Sequence, residues 1–193
     1  PMVLGPCVNG DLEMGDFTGF SASSGLYGSG ECTIAGITFV PETPGTLETP
    51  VVVGPGINCE IQNVGLDPIL IGYGDSLQKV HAGNHSIRVN QNHVRWGVNR
   101  ITYPVVLTQP NEDIAFWFSF VLQNPGSHVN AQPFFRARAV HQASGIEQDF
   151  FCETALERNN FTTAIYTGGS DSLVWTVWRC AELEVSGNVG DTV

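Results

Sequence analysis

The chain has 193 residues, a length that suits one domain with a sizeable core, and 42% of them are hydrophobic. Only 14% are charged and the formal net charge is −11, with one lysine, Lys79, against seven arginines, and nine acidic residues ahead of Lys79. That balance excludes the clustered cations that nucleic acid or an anionic membrane surface demands, and leaves Asn, Thr, Ser, Gln and Gly to supply the polar surface.

No apolar run reaches the ~18 residues of a membrane-spanning helix. There is no initiator Met and no secretory signal, so the sequence reads as a mature or excised piece. The 22 glycines and 11 prolines interrupt it every few residues, with β-branched and aromatic runs between them. That is an all-β pattern, and no helix of any length is expected.

In chain order, residues 1–30 are expected to hold a first strand and then a Gly/Ser-rich loop from 21 to 30. A strand is expected over 34–40, and an exposed Pro/Thr/Glu loop over 41–50. Short strands follow at 51–53 and 57–64 around a turn at 54–56, and residues 65–74 are turn-rich around Ile69, Leu70 and Ile71. Strands over 86–90 and 95–102 lead to an apolar triplet, Val105, Val106 and Leu107.

Residues 114–122 (IAFWFSFVL) form the most apolar stretch and read as one central strand buried on both faces, with Trp117 in the core. Residues 133–140 alternate, with Phe135, Ala137 and Ala139 on one face and Arg136 and Arg138 on the other. A short strand at Ile165 and Tyr166 and an alternating strand over 174–184 complete the set. Trp175 and Trp178, three apart, cannot share a strand face, so one is expected in the core and the other outside. Roughly ten strands without an internal repeat predict one continuous domain over residues 1–193, a two-sheet jelly-roll β-sandwich.

Five cysteines, Cys7, Cys32, Cys59, Cys152 and Cys180, form no CxxC pair. Their wide spacing suits long-range disulfides in an oxidising compartment, with pairing left open. The odd count leaves one without a partner in this chain: a buried thiol, or a link to another chain or to sequence outside this one.

The residues offer little for catalysis. There is no G-x-S-x-G nucleophile elbow, and Glu112 and Asp113 read as a solvated turn rather than a glycosidase carboxyl pair. His81 and His85 have a spacing that places two ligands together on a helix but not on a strand, so zinc is not expected. Sugar recognition needs an aromatic platform flanked by hydrogen-bonding side chains. The best such cluster is Trp96 with Arg88, Asn92 and Tyr103. Asn84-His85-Ser86 and Asn160-Phe161-Thr162 fit the N-glycosylation pattern.

Two segments carry a resemblance: residues 9–20 (NGDLEMGDFTGF) and residues 81–90 (HAGNHSIRVN). Together they resemble the opening "N-x-x-F-E-x-G-x-x-x-W" strand and the later "G-x-x-S-x-x-V" strand of extracellular jelly-roll domains of the carbohydrate-binding-module, or galactose-binding-like, superfamily. Leu12 stands where those domains have Phe and Phe20 where they have Trp, so an apolar anchor is kept at both. The resemblance implies a structural Ca²⁺ held through Glu13, with Asp16 nearby. Ca²⁺ wants six to eight oxygen ligands.

Residues 118–128 (FSFVLQNPGSH) and 132–138 (QPFFRAR), followed by Cys152, Trp175 and Leu183, are similar to domains of large bacterial surface adhesins. In that pattern the closing "GQTV" runs on into further strands. Here Val193 falls at that point, so the last one or two strands and a sixth cysteine are expected outside this chain. The implied function is a non-catalytic extracellular module for adhesion or carbohydrate recognition. Its partners would be a glycan or neighbouring copies of the same protein. The alternative is a structural subunit of an extracellular fibre completed by strand exchange, because an open sheet edge invites another strand.

Overall fold

A computed structural model describes residues 10–26, 32–34, 36–42, 59–90, 97–125, 132–155, 163–166 and 171–193. The protein is all-β. The described strands are β1 (Ser21–Leu26), β2 (Val40–Glu42), β3 (Cys59–Asn63), β4 (His85–Val89), β5 (Gly97–Thr102), β6 (Ile114–Phe118), β7 (Val121–Pro125), β8 (Phe134–His141), β9 (Ile146–Thr154), β10 (Thr163–Tyr166), β11 (Asp171–Trp175) and β12 (Arg179–Leu183). All their pairings are antiparallel. The chain divides into two compact units, one of residues Pro1–Gly28 and Ile34–Pro104, the other of Ser29–Thr33 and Val105–Val193. No helix among the described residues is long and apolar enough to cross a membrane.

In the first unit, β1 is the middle strand of a β2-β1-β5 sheet and β3 pairs with β4. This corrects the reading of 21–26 as loop and of the preceding motif as a strand: residues 10–20 are a run of turns, and the strand begins at Ser21, while residues 27–30 of the expected loop lie outside the described residues. Small residues make this strand because the chain passes close above it. A Cβ on Gly25 would lie 2.6 Å from Ile37 Cγ2 and 2.9 Å from Thr38 O. The strand expected over 34–40 is displaced: among the described residues it runs Val40–Glu42, into the start of the expected 41–50 loop, and Pro41 sits there on an edge strand that tolerates its missing N–H. The turn-rich stretch at 65–74 contains one helical turn, α1 (Pro68–Gly72). Asp67 caps it by accepting from Ile69 N (2.9 Å) and Leu70 N (3.0 Å), and Pro68 supplies a pre-set φ at its start. Ile61, Leu70, Leu77 and Val80 are buried in this unit.

In the second unit, β10, β11 and β7 form one sheet, while β12 pairs with β6 and β8 with β9. The apolar run 114–122 is not one strand. β6 ends at Phe118 against Arg179, and β7 begins at Val121 against Trp175. Two residues, 119 and 120, therefore stand opposite three, 176–178, which is the count of a β-bulge. Thr176 N–H still donates to Phe120 O across it (3.1 Å). The same break divides the expected 174–184 strand into β11 and β12. Trp175 is buried at 5% exposure and Trp178 is half-buried.

Alternation along β6 turns Phe118 inward and Trp117 outward. Trp117 is 52% exposed, so the expectation of a core tryptophan there is wrong. Phe118 stacks on Phe135 of β8 (ring centroids 5.0 Å apart) and meets Phe151 of β9 at 5.1 Å. The β6–β12 and β8–β9 pairs thus pack face to face, sandwich fashion. Leu107, Ala139, Leu183 and Val185 are buried between them, with Ile114, Phe116, Ala137, Phe151 and Val193 packed against them. Cys32 and Cys152 form a disulfide in this unit, with Cα atoms 6.1 Å apart.

Candidate functional site

In the first unit the two motifs behind the superfamily resemblance come together. Residues 10–20 wrap into successive turns: Asp11 Oδ1 accepts from Glu13 N–H (3.3 Å), and Gly15 N–H closes on Leu12 O (2.9 Å). Leu12 takes φ 62°, a left-handed conformation that costs a leucine about 1–3 kcal/mol. These turns present Glu13 to the bend before β4. Asn84 N–H donates to Glu13 Oε1 (2.8 Å) and Asn84 Nδ2 donates to Oε2 (2.7 Å). Gly83 makes the approach feasible, because its φ is 75° and a Cβ there would run into Glu13 Oε1. The Asn84 backbone donor, then its side-chain amide, hold the Glu13 carboxyl below its ordinary value of 4.5.

This geometry decides how the acids fit Ca²⁺. Both Glu13 oxygens face N–H donors, and Asp16 Oδ1 accepts from Thr18 N–H (2.8 Å) within its own turn. As arranged, they do not fit a shell of six to eight oxygens. Among the described residues no group of three or more His, Cys, Asp or Glu is placed to hold a metal. The Glu13–Asn84 pair itself ties the two segments together.

Two of the four expected ligand residues are described, and both are engaged within the fold. Arg88 lies directly across the β3–β4 ladder from Glu60 and pairs with Glu60 Oε1, which also accepts from Gln62 Nε2 (2.6 Å). Glu60 is 5% exposed, so the guanidinium compensates a buried charge. Tyr103 packs on Phe20 with ring centroids 4.4 Å apart. Asn92 and Trp96 lie outside the described residues. Among the cysteines, Cys59 is fully buried, Cys180 is an exposed free thiol across the ladder from Trp117, and Cys7 lies outside the described residues.

The second unit presents a further polar face on β8–β9. Arg136 and Arg138 point outward as their alternation predicts, and Arg138 lies directly opposite Phe150. A register shift between Ala139 and Val140 leaves Gln148 as the extra residue, so Val140 pairs with Glu147. The bulge reverses the phase of β9 and brings Glu147 onto the arginine face; an unbroken ladder would have sent it inward with Asp149 and Phe151. Glu147 then bridges Arg136 Nη2 (2.5 Å) and Arg138 Nη1 (3.2 Å). The Arg136 guanidinium lies 4.4 Å over the Phe150 ring and also donates to Cys32 O. Phe150 keeps 53% exposure. The two arginines were legible from period two. Glu147 and Phe150 were not, because nothing in the sequence marks the bulge.

No known protein family, curated protein or solved structure matches the chain.

Proposed function

We propose that this chain is a non-catalytic extracellular module of a cell-surface or secreted assembly, a two-sheet jelly roll serving adhesion or carbohydrate recognition. The observation that carries the reading is the clamp between Glu13 and Asn84. It joins the two segments, seventy-one residues apart in sequence, on which the resemblance to carbohydrate-binding-module domains rests. The Cys32–Cys152 disulfide supports export, since such bonds persist in oxidising compartments. The ligand is a glycan, and the Trp96 cluster is one candidate surface for it. The exposed thiol of Cys180 favours the alternative, a fibre subunit linked to neighbouring copies.

A glycan array probed with the intact chain tests the reading. Retention on a restricted set of saccharides is expected, with Trp96→Ala folded but weakened. Failure to bind any glycan, together with heat- or SDS-resistant assemblies formed without glycan, would replace it with the fibre reading.

A further inference from the structure

The outward face of β8–β9 holds two arginines on one strand in a chain whose net charge is −11 and which has 8 basic residues in all. Glu147 offsets one of the two charges and pairs with both side chains, leaving a surplus of one positive charge among the described residues of this face. Arg138 spends one of its five N–H donors on Glu147 Oε2, and its side chain remains 32% exposed. Directly across the ladder stands Phe150, an exposed aromatic ring held in place by the Arg136 guanidinium. An aromatic ring suits the apolar face of a pyranose, and a guanidinium fork suits a carboxylate or sulfate on that ring. The two sit side by side because opposite residues in an antiparallel ladder share a face.

We propose that this face binds an anionic saccharide, with Phe150 under a sugar ring and Arg138 on its acidic group. The proposal rests on the glycan-recognition reading and assigns it a site distinct from the Trp96 cluster. Arg136 and Glu147 are positioning residues: the bulge at Gln148 brings Glu147 to the arginines, and Glu147 keeps the two guanidinium groups apart and oriented.

The test is calorimetric titration of the full chain with an oligogalacturonate and with its methyl-esterified form, which keeps the rings and removes the charge. Binding of the acid form is expected, weakened about tenfold or more by esterification and by salt. Arg138→Ala and Phe150→Ala should each weaken it by about tenfold, and Arg138→Lys should recover part of the loss because it restores charge without the fork. A sulfated oligosaccharide bound in the same Arg138-dependent way upholds the proposal and identifies the acidic group as interchangeable. Equal affinity for acid and ester, an unchanged affinity in folded Arg138→Ala, or equal binding of a poly-glutamate peptide would overturn it. Neutral glycans bound on the array and lost in Trp96→Ala, with no binding of acidic sugars, would leave the glycan reading standing and this site refuted. No binding of any saccharide would remove both.

Discussion

Glu13 can hold both hydrogen bonds from Asn84 only while it is ionised, since protonation turns one acceptor oxygen into a donor facing another donor. Its pKa lies below the ordinary 4.5, so the stability it contributes is present above that value and is lost as pH falls through the lower folded-state value. Asp191 acts with the same sign below its ordinary 3.8, held down first by the Asn188 backbone N–H and then by His141. The wild-type melting temperature should therefore drop on the acid side of 4.5. Glu13→Gln should melt lower at neutral pH and show a flatter acid dependence, measured by differential scanning calorimetry. Gly83→Ala should be worse, because a left-handed φ costs an alanine about 1–3 kcal/mol before the clash with Glu13 is counted. A chelator should leave the wild-type melt unchanged, since the two Asn84 hydrogen bonds to Glu13 hold the segments together without a metal. Arg88→Ala should destabilise by about 1–3 kcal/mol, because buried Glu60 loses its half-exposed partner while Gln62 still donates to it, so a loss of ligand binding in that variant must be read beside its melting curve.

At the scale of elements, the bulges govern what a sequence can and cannot reveal. Period two along β8 gave both faces correctly, because burial of Phe135, Ala137 and Ala139 against the β6–β12 pair dictates it. The run over 114–122 is apolar throughout, and composition alone cannot say where a strand changes partner. The bulge at 176–178 does so, and it lies in a segment that reads as unbroken alternation. Likewise the Gly/Ser content of 21–26 signals a loop, whereas the packing of residues 37–38 over Gly25 makes it a strand. The clamp was legible only as two motifs; no local pattern shows that Glu13 meets Asn84. These assignments make unequal demands on neighbouring aromatics. Phe118→Ala should cost about 3–5 kcal/mol, as removal of a buried ring among Phe120, Phe135 and Phe151 requires. Trp117→Ala, on the exposed side of the same strand, should cost well under half of that, and urea unfolding of the two variants provides the comparison.

For the molecule as a whole, the Cys32–Cys152 disulfide closes a span of 120 residues. By restricting the unfolded chain it contributes about 2–5 kcal/mol, so reduction or a double Cys→Ala variant should lower the unfolding midpoint by that much. The bond also underlies the view of this chain as an exported glycan-binding module, because it would not persist in a reducing cytosol. Non-reducing peptide mapping of material from the native source, with free thiols alkylated before digestion, is the measurement to make. A Cys32–Cys152 cross-linked peptide is expected, with Cys180 recovered either alkylated or joined to a second chain. Recovery of Cys32 and Cys152 both fully alkylated in native material would contradict the exported module.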